Sequence, residues 1–322
     1  MKYLVIGGAG FIGSYCVDFL LSKNDTEIVR VYDNFSAGKK WFLDSHHSDP
    51  RLLVIHKDIY DADINYAAQD IDVAFLFAAN PDIAKAVNEP DIDFKQGTAL
   101  TQIVLEALRK AVCPRLIYAS GSGVYGDVGN EVVSELFSPM KPISTYGASK
   151  LGCEALISSY CHMFGFKATA LRFGNVVGGR QTHGVAYDFI SRLLTNQDHL
   201  DILGDGNQSK PYVYITDVIA AIECALHNQT NKFDVFNVAP LDNSTVSEIA
   251  HFVLDSMHIP TSKCELRYTG GARGWKGDVP IVRLDSSKIR ELGWRNKFSS
   301  NEALKRSIEA MLANKDKLYG KP

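Results

Sequence analysis

The sequence lacks the features that would place it among disulfide-bonded, metal-binding or membrane proteins. Its six cysteines fall at irregular spacings, without a C-x-x-C pair and without histidines at zinc-finger spacing. No apolar run approaches the roughly 18 residues of a transmembrane helix, and the N-terminus lacks the basic region and cleavage site of a signal peptide. These absences predict reduced, mostly buried thiols, no metal site and a cytoplasmic protein.

Excess charge of one sign is also missing. The 34 Lys and Arg residues nearly balance 37 Asp and Glu residues, and the basic side chains are scattered rather than clustered. Binding to nucleic acid or to an anionic membrane needs a basic patch, so neither is expected as a partner. With 322 residues and 46% hydrophobic content, the chain is long enough for one large globular domain or two small ones.

Apolar segments rich in β-branched residues alternate with amphipathic segments through the first half of the chain. Such alternation predicts a parallel sheet covered by helices on both faces, which is a doubly wound α/β fold. The predicted strands are residues 3–6, 28–32, 52–55, 73–77, 116–119 and 168–173. The predicted helices among them include residues 12–22, 100–112 and 150–164.

The pattern changes after Asn175, where glycine-rich turns, shorter strands and helices at 185–194 and 246–257 indicate a smaller α/β lobe. We predict a first domain over residues 1–174, to which residues 213–239 return. A strand-like run at 232–239 supports this return. Residues 175–212 and 240–322 are predicted to form the second lobe.

A glycine-rich turn follows the first predicted strand directly, in the sequence Gly7-Gly8-Ala9-Gly10-Phe11-Ile12-Gly13. Glycines at these positions allow a tight bend, close approach to a pyrophosphate and close packing of the next helix. The free N–H groups at the start of that helix favour an anion. Because the turn lies between a predicted strand and a predicted helix, it indicates a dinucleotide site.

An acidic residue, Asp33, ends the second predicted strand about 20 residues after the last glycine. Its carboxylate can accept hydrogen bonds from the ribose hydroxyls of NAD and would repel the 2′-phosphate of NADP. The alternative is that Asp33 only begins a turn. Its coupling to the glycine turn favours NAD, although Lys39 and Lys40 weaken the exclusion of NADP.

Tyr146 and Lys150 are four residues apart, so on a helix they project from the same face. An ammonium group and the positive nicotinamide ring of NAD both stabilise a phenolate, which can then act as a base. The alternative is a surface tyrosine beside a helical lysine, because Y-x-x-x-K also arises by chance. Together with the dinucleotide motif, the pair is interpreted as catalytic.

The combined motifs resemble the extended short-chain dehydrogenase/reductase family, and within it the NAD-dependent nucleotide-sugar epimerases and dehydratases. The resemblance covers nearly the whole chain and implies a Rossmann-type NAD-binding domain, a nucleotide-sugar-binding lobe and a homodimer. Further matching motifs are Asp58-Ile59, Phe77-Ala78-Ala79, Val124-Tyr125-Gly126, Leu171-Arg172-Phe173-Gly174-Asn175, Leu203-Gly204-Asp205-Gly206, Gly277-Asp278 and Leu292-Gly293-Trp294.

This resemblance implies a set of cofactor-binding residues: the glycine turn, the end of the second strand, the border of the adenine, the NAD cleft and the catalytic pair. They are Gly7, Gly10, Phe11, Ile12, Gly13, Asp33, Asn34, Ser36, Asp58, Ile59, Phe77, Ala78, Ala79, Tyr146, Lys150 and Phe173.

The resemblance also implies contacts with a nucleoside-diphosphate sugar. Asn175 and Lys210 would contact the diphosphate, and Asp278 would reach the ribose of the substrate nucleotide. The alternatives are a turn cap for Asn175, a surface charge for Lys210 and a solvated loop acid for Asp278. The predicted substrate residues are Asn80, Ser122, Tyr146, Asn175, Arg180, Lys210, Arg273 and Asp278.

The sequence departs from the family at the hydroxyl that normally bridges the sugar and the tyrosine, because that position is Gly121. Ser120 and Ser122 flank it, and flexible glycines allow Ser122 to move into the role. We therefore predict Ser122 ahead of Ser120. Ser122 and Gly123 also replace the Asp-Glu pair with which 4,6-dehydratases eliminate water, which disfavours a dehydratase.

Two further departures concern binding and support. Lys210 stands where the family usually has an arginine, and a lysine cannot bind a phosphate with two parallel hydrogen bonds. Arg180 and Arg273 are the candidates to supply this bidentate contact. Gly97 replaces the family asparagine before a long helix, which removes one expected polar support near the site.

These features predict an NAD-dependent epimerase that reversibly oxidises C4 of a nucleoside-diphosphate hexose without a metal. Tyr146 would remove the hydroxyl proton while Ser122 or Ser120 orients that hydroxyl. The alternatives are a 4-dehydrogenase that releases the keto sugar, a dehydratase of unusual type and a non-catalytic NAD-binding sensor. The apolar faces of the helices predicted at 100–112 and 150–164 predict the homodimer contact.

Overall fold

The computed structural model describes residues 1–61 and 64–320, and the chain divides into two compact units. The first unit contains Met1–Val124, Thr145–Arg172 and Ile219–Phe236. The second contains Tyr125–Ser144, Phe173–Val218 and the chain from Asn237 onward. Residues 125–144, which the sequence analysis includes in the first domain, therefore belong to the second unit.

The strands of the described residues are short, and the central ones are almost wholly apolar. In chain order they are β1 (Lys2–Ile6), β2 (Ile28–Asp33), β3 (Leu52–His56), β4 (Val73–Leu76), β5 (Arg115–Gly121), β6 (Lys167–Phe173), β7 (Asn175–Val177), β8 (His199–Ile202), β9 (Ser209–Lys210), β10 (Tyr212–Tyr214), β11 (Phe233–Val238), β12 (Ser244–Thr245) and β13 (Glu265–Tyr268).

The helices alternate with these strands in the first half of the chain and cluster near its end. They are α1 (Phe11–Ser22), α2 (Ile64–Ala67), α3 (Leu100–Lys110), α4 (Thr145–Phe164), α5 (Val185–Thr195), α6 (Ile215–Asn228), α7 (Val246–Ser256), α8 (Ser287–Glu291), α9 (Ser300–Ala313) and α10 (Lys315–Tyr319). Among residues 1–61 and 64–320, no helix combines the length and apolar character that crossing a membrane requires.

Seven strands form the main sheet, in the order β11-β6-β5-β4-β1-β2-β3. β1 pairs in parallel with both β2 and β4, and the pairs β2–β3 and β4–β5 are also parallel. β11 lies beside β6 in this sheet, so residues 233–238 of the predicted return segment reach it. Because β2 and β4 lie on opposite sides of β1, the carboxyl ends of β1 and β4 form a switch point, where α/β sheets bind ligands.

The strands are continuous apolar runs because both faces of the sheet are buried. All four residues of β4 are buried, because helices cover both faces of the sheet. Side chains of α3 and α4, among them Leu108 and Ile157, pack in one hydrophobic cluster with residues of β1 and β5. All six cysteines are free and five of them are buried, as the sequence predicts.

The second unit contains three two-stranded sheets, which pair β7 with β10, β8 with β13 and β9 with β12. A fully buried asparagine, Asn237, ties residues 125–144 to this unit. Its Oδ1 accepts a hydrogen bond from the Tyr125 hydroxyl at 2.7 Å, and its Nδ2 donates to the carbonyls of Val133 and Asp285 at 3.0 and 2.9 Å. These bonds need a particular buried side chain and leave no periodic pattern in the sequence.

Candidate active site

The glycine turn after β1 has the close packing that a phosphate-binding turn requires. Gly7 has a φ of +81° and a Cβ there would lie 2.5 Å from the nitrogen of Ala78, so only glycine fits. A Cβ at Gly13 would lie 2.1 Å from the carbonyl oxygen of Gly7. Gly10 caps α1, whose first N–H groups have no partners within the helix. The turn therefore presents a helix N-terminus of the kind that binds phosphate.

The carboxylate of Asp33 lies beside this turn at the end of β2. Its Oδ2 accepts a hydrogen bond from the backbone N–H of Ala9 at 2.9 Å, and its Oδ1 accepts one from Phe35 at 2.8 Å. Burial raises the pKa of Asp33 above its ordinary value, and the two backbone hydrogen bonds oppose that rise. The side chain is thus held in place while each oxygen keeps a further lone pair for a ligand.

The loop after β2 contacts the loop after β3. Nδ2 of Asn34 donates to Oδ2 of Asp58 at 2.7 Å, and the Tyr32 hydroxyl donates to the carbonyl of Asp58 at 2.9 Å. The backbone N–H of Ser36 donates to Oδ1 of Asn34 at 3.0 Å, and Ile59 is buried next to Asp58. The structure thus brings four predicted cofactor-binding residues together, of which Asp58 and Ile59 are the two expected to border the adenine.

The residues after β4 adjoin the glycine turn. The backbone N–H groups of Phe77 and Ala78 both donate to the carbonyl of Ile6, and residues 77–79 remain partly exposed. Asn80 differs, because it is only 4% exposed and its Nδ2 donates to the carbonyl of Asp82 and to Oδ1 of Asp93, both at 2.9 Å. The amide of Asn80 is therefore already engaged inside the protein.

Tyr146 and Lys150 lie in the first two turns of α4. The Lys150 side chain is 5% exposed, and its Nζ donates to the carbonyl of Ala119 at 2.8 Å. The same Nζ lies 5.0 Å from the ring centre of Tyr118 and 5.4 Å from that of Tyr146. A cation in this arrangement is attracted by both rings and stays near the Tyr146 phenol.

The two tyrosines beside Lys150 have different environments. Tyr118 is fully buried, and burial raises the pKa of its hydroxyl well above the ordinary value. Tyr146 is partly exposed, and within residues 1–61 and 64–320 no protein group hydrogen-bonds its hydroxyl. The neutral ring of Tyr118 therefore packs against the lysine, while the Tyr146 hydroxyl is available to a ligand.

The two serines that flank Gly121 also differ. Ser120 is buried, and its Oγ donates to Oε1 of Glu154 at 2.5 Å. Glu154 in turn forms a buried ion pair with Arg172, with Nη2 to Oε2 at 2.6 Å and Nε to Oε1 at 3.0 Å. The Ser120 hydroxyl is thus part of an internal network that joins β5, α4 and β6.

Ser122 begins a single 3-10 turn (Ser122–Val124) that packs against the start of α4, since a Cβ at Gly123 would lie 3.5 Å from Cα of Gly147. Ser122 is partly exposed, and no group in the described part of the chain hydrogen-bonds its hydroxyl. A Cβ at Gly121 would meet no atom within 4 Å. Open space therefore lies next to Gly121, where a side chain would project.

The polar support that the sequence analysis expects to be missing at Gly97 is present in another form. Oγ of Ser149 occupies the space in which a side chain at position 97 would lie, 2.1 Å from an ideal Cβ. This hydroxyl lies 3.0 Å from Oγ1 of Thr98 and donates to the carbonyl of Asp93 at 2.7 Å. A hydroxyl from α4 thus occupies the space of the missing side chain.

In the second unit, three predicted substrate residues come together. Nζ of Lys210 lies 2.6 Å from Oδ1 of Asp278, whose Oδ2 also accepts from the N–H of Gly274 at 3.1 Å. Arg273 donates to the carbonyl of Asp278 and pairs with Asp127. Asp127 directly follows the Val-Tyr-Gly motif and was missed from the sequence, since only folding brings it to Arg273.

The remaining predicted residues of this unit lie around β7. Asn175 begins β7 opposite Tyr212 of β10, and the two side chains share a hydrogen bond. Tyr212 is buried, which raises the pKa of its hydroxyl, and it was not predicted from the sequence. Phe173 is buried at the end of β6, and Arg180 lies in the turn after β7.

Three features are typical of an enzyme that uses a dinucleotide cofactor: a glycine turn at a helix N-terminus, an acid at the end of β2, and a buried lysine beside an available tyrosine. The sequence pattern of the NAD dependent epimerase/dehydratase family matches residues 3–239, and the chain belongs to this family. The chain is therefore an enzyme with NAD as cofactor, and the predicted resemblance is confirmed.

Similar proteins cover nearly the whole chain. A Methanocaldococcus jannaschii protein provisionally named UDP-glucose 4-epimerase is 32% identical over 97% of this chain and 98% of its own length. A crystal structure of UDP-galactose 4-epimerase superposes with a TM-score of 0.86 at 34% identity, covering 98% of this chain and 99% of its own. The Streptomyces venezuelae dTDP-glucose 4,6-dehydratase DesIV, solved with NAD, gives a TM-score of 0.89 at 28% identity and covers 98% of both chains. The predicted doubly wound fold is confirmed by these superpositions.

Proposed function

We propose that the protein is a nucleotide-sugar 4-epimerase, which oxidises C4 of a nucleoside-diphosphate hexose and reduces it again from the other face. The observation that carries this proposal is the buried Lys150 ammonium 5.4 Å from the ring centre of Tyr146, whose hydroxyl has no hydrogen-bond partner among the described residues. A tyrosine so placed can accept the proton of a sugar hydroxyl and return it.

The first unit fits the dinucleotide. The tight glycine turn would hold the pyrophosphate, Asp33 would accept the ribose hydroxyls, and residues 77–79 would border the nicotinamide side. When bound, NAD supplies a hydride acceptor that can later give the hydride back. The protein contributes orientation and proton transfer.

The proton transfer uses three side chains in separate roles. Tyr146 removes the proton from the sugar hydroxyl as a phenolate, which the Lys150 ammonium stabilises. Tyr118 does not compete, since burial keeps it neutral. Ser122 orients the sugar hydroxyl towards Tyr146, because its own hydroxyl is available whereas Ser120 donates to Glu154.

The second unit supports binding of an anionic substrate. Lys210 and Arg273 are cations beside the carboxylates of Asp278 and Asp127, so each is held in a defined position. A diphosphate can take up the remaining donors of both side chains. Asn175, oriented by Tyr212, adds an uncharged donor to the proposed diphosphate contacts.

Epimerisation is favoured over elimination of water for a chemical reason. Removing water across C5 and C6 needs an acid and a base besides the hydride transfer. The segment that would carry them contains Ser122 and Gly123, and neither side chain can act as a carboxylic acid or a carboxylate. Retaining the keto sugar for the return of the hydride needs no further ionisable group.

The experiment is to incubate the purified protein with a panel of UDP-, GDP- and CDP-sugars and to follow both sugar composition and absorbance at 340 nm. Interconversion of C4 epimers without net NADH supports the proposal. Stoichiometric NADH would identify a 4-dehydrogenase instead, and a 6-deoxy-4-keto product a dehydratase. Absence of turnover with every sugar of the panel would contradict the proposal.

The variant Tyr146→Phe tests the proton-transfer role directly. We expect kcat to fall about 10²- to 10⁴-fold, as is typical when a general acid–base group is removed, with little change in substrate KM. The matched control is Tyr66→Phe, because Tyr66 is a 73% exposed tyrosine of the same unit. Wild-type turnover by Tyr146→Phe would overturn the mechanism.

A homodimer remains part of the proposal. Val112 just after α3 is 82% exposed and Met163 near the end of α4 is 72% exposed, so both helices end in apolar surface. Light scattering coupled to size exclusion should give about twice the 35.5 kDa chain mass. The double variant Val112→Glu/Met163→Glu should yield the monomer, whereas an unchanged mass would exclude this surface as the contact.

A further inference from the structure

A buried carboxylate, Asp93, connects the loop after β4 with the start of α4. Asp93 is 2% exposed and accepts two side-chain hydrogen bonds, from Nδ2 of Asn80 to Oδ1 at 2.9 Å and from Oγ1 of Thr145 to Oδ2 at 2.7 Å. Its main-chain carbonyl accepts a third, from Oγ of Ser149 at 2.7 Å. All of these residues belong to the first unit.

The contacts of Asp93 with α4 follow the helix period. Thr145 and Ser149 are four residues apart and therefore share one face of α4. Tyr146 and Lys150 are each one residue later, about 100° further around the same helix. We call the hydrogen bonds from Thr145 and Ser149 to Asp93 the Asp93 clamp. This clamp sets the rotation of the helix about its axis, and with it the direction of Tyr146 and Lys150.

We propose that Asp93 is a positioning residue for the catalytic pair, which acts by hydrogen bonding to the first two turns of α4. This inference rests on the proposed function, because it assigns Asp93 a part in aligning Tyr146. The first turn of a helix is where fraying begins, since its N–H groups lack partners within the helix. The bond to Thr145 restrains the turn that carries Tyr146.

The geometry requires hydrogen bonds and does not require a negative charge. An asparagine at position 93 could accept from Asn80 through Oδ1 and donate to the Thr145 hydroxyl through Nδ2, because a hydroxyl is both donor and acceptor. A leucine has a similar size and forms neither bond. Comparing these two substitutions therefore separates positioning from an electrostatic effect.

The test compares Asp93→Leu, Asp93→Asn and Thr145→Val with wild type. We expect Asp93→Leu to lower kcat about 10- to 100-fold, as small misplacements of catalytic groups do, with KM within about twofold. Thr145→Val should lower kcat by about 3- to 10-fold, since it breaks one bond only. Asp93→Asn should remain within about threefold of wild type.

The matched control is Asp91→Asn, two residues away in the same segment. Asp91 pairs with Lys95 at 2.5 Å on the surface, where both side chains are more than 60% exposed. Its replacement should leave kcat and KM unchanged. If Asp93→Leu keeps wild-type kcat, or if Asp93→Asn is as impaired as Asp93→Leu, the proposed positioning by hydrogen bonds is overturned.

A second measurement does not depend on activity. Amide hydrogen exchange at residues 145–150 should be at least about tenfold faster in Asp93→Leu and Thr145→Val than in wild type, Asp93→Asn or Asp91→Asn. Equal exchange in all five proteins would refute the clamp. If wild type turns over no sugar while the exchange pattern is as expected, the clamp stands and the proposed function fails. If Asp93→Leu does not fold, Thr145→Val decides.

Discussion

The Oγ of Ser120 lies 2.5 Å from Oε1 of Glu154, so one of the two serines beside Gly121 donates its hydrogen bond into the protein interior. A serine hydroxyl has a single proton to donate. While that proton is shared with Glu154, Ser120 cannot also donate to a sugar hydroxyl. Ser122 directly follows Gly121, and its hydroxyl has no such partner among the described residues.

Replacing the two serines should therefore have different effects. Ser122→Ala should lower kcat about 10²-fold, because the sugar hydroxyl loses the group that orients it. Ser120→Ala should lower kcat less than about fivefold but reduce stability by about 1–2 kcal/mol, because Glu154 loses a buried hydrogen bond. Steady-state kinetics and urea unfolding measure both. A larger loss of kcat in Ser120→Ala than in Ser122→Ala would reverse the assignment.

The buried pair of Glu154 and Arg172 should be costly to break from one side. Arg172→Met leaves the Glu154 carboxylate in the interior without its cation, and we expect a loss of about 3–5 kcal/mol in the free energy of unfolding. The double variant Glu154→Leu/Arg172→Met should regain most of it. As control, Lys85→Met breaks an exposed pair with Glu89 and should change stability by less than about 0.5 kcal/mol. Urea denaturation at pH 7 measures the change in the free energy of unfolding for all three variants. Equal changes in Arg172→Met and Lys85→Met would contradict this prediction.

NAD binding should weaken as the pH falls. Burial raises the pKa of Asp33, so its carboxylate takes up a proton at a higher pH than an ordinary aspartate, which titrates at about 4. Only the ionised form accepts hydrogen bonds from both ribose hydroxyls. The NAD affinity should therefore fall as pH decreases through this raised pKa. Calorimetric titration with NAD between pH 7 and pH 4.5 measures the change.

The variant Asp33→Asn is the control for this pH dependence, and it should bind NAD more weakly at pH 7 with a flatter profile. Destabilisation of the fold by protonation of Asp33 does not explain the loss of NAD affinity. Because its folded pKa lies above the unfolded value, protonation of this group favours the folded state, and its contribution is lost as pH rises. An identical pH profile in wild type and Asp33→Asn would exclude Asp33 as the titrating group.

Lys210 should act on binding and not on the chemical step. Lys210→Met is expected to raise substrate KM about tenfold with kcat changed by less than about twofold, because a diphosphate contact is equal in ground and transition states. The KM of wild type should also rise with salt more steeply than that of the variant. The exposed Lys263 of the same unit provides the control variant Lys263→Met. A fall in kcat without a change in KM would place Lys210 elsewhere in the mechanism.

The sheet could be predicted from the sequence because its determinants are local. Buried parallel strands are short apolar runs, so all six predicted strands of the first half match β1 to β6 within a few residues. The glycine turn and the Tyr146–Lys150 pair are also local, since their spacing is set by a single turn or a single helix. Residue type and spacing suffice for such features.

The partners of the site residues could not be predicted, because they depend on how elements pack. Ser120 and Glu154 are 34 residues apart, and Thr145 and Asp93 are 52 residues apart. No periodicity links such positions. The same holds for Gly97, where the sequence shows only a missing side chain, while the packed structure fills its place with the hydroxyl of Ser149.

The position of β11 has a consequence for synthesis of the protein on the ribosome. β11 pairs with β6 at the edge of the main sheet, yet it begins at Phe233, long after β6 ends at Phe173. At about 5–20 residues per second, the edge of β6 waits roughly 3–12 s for its partner. Unpaired strand edges invite pairing with other chains, so the edge of β6 is open to such pairing until β11 has been synthesised.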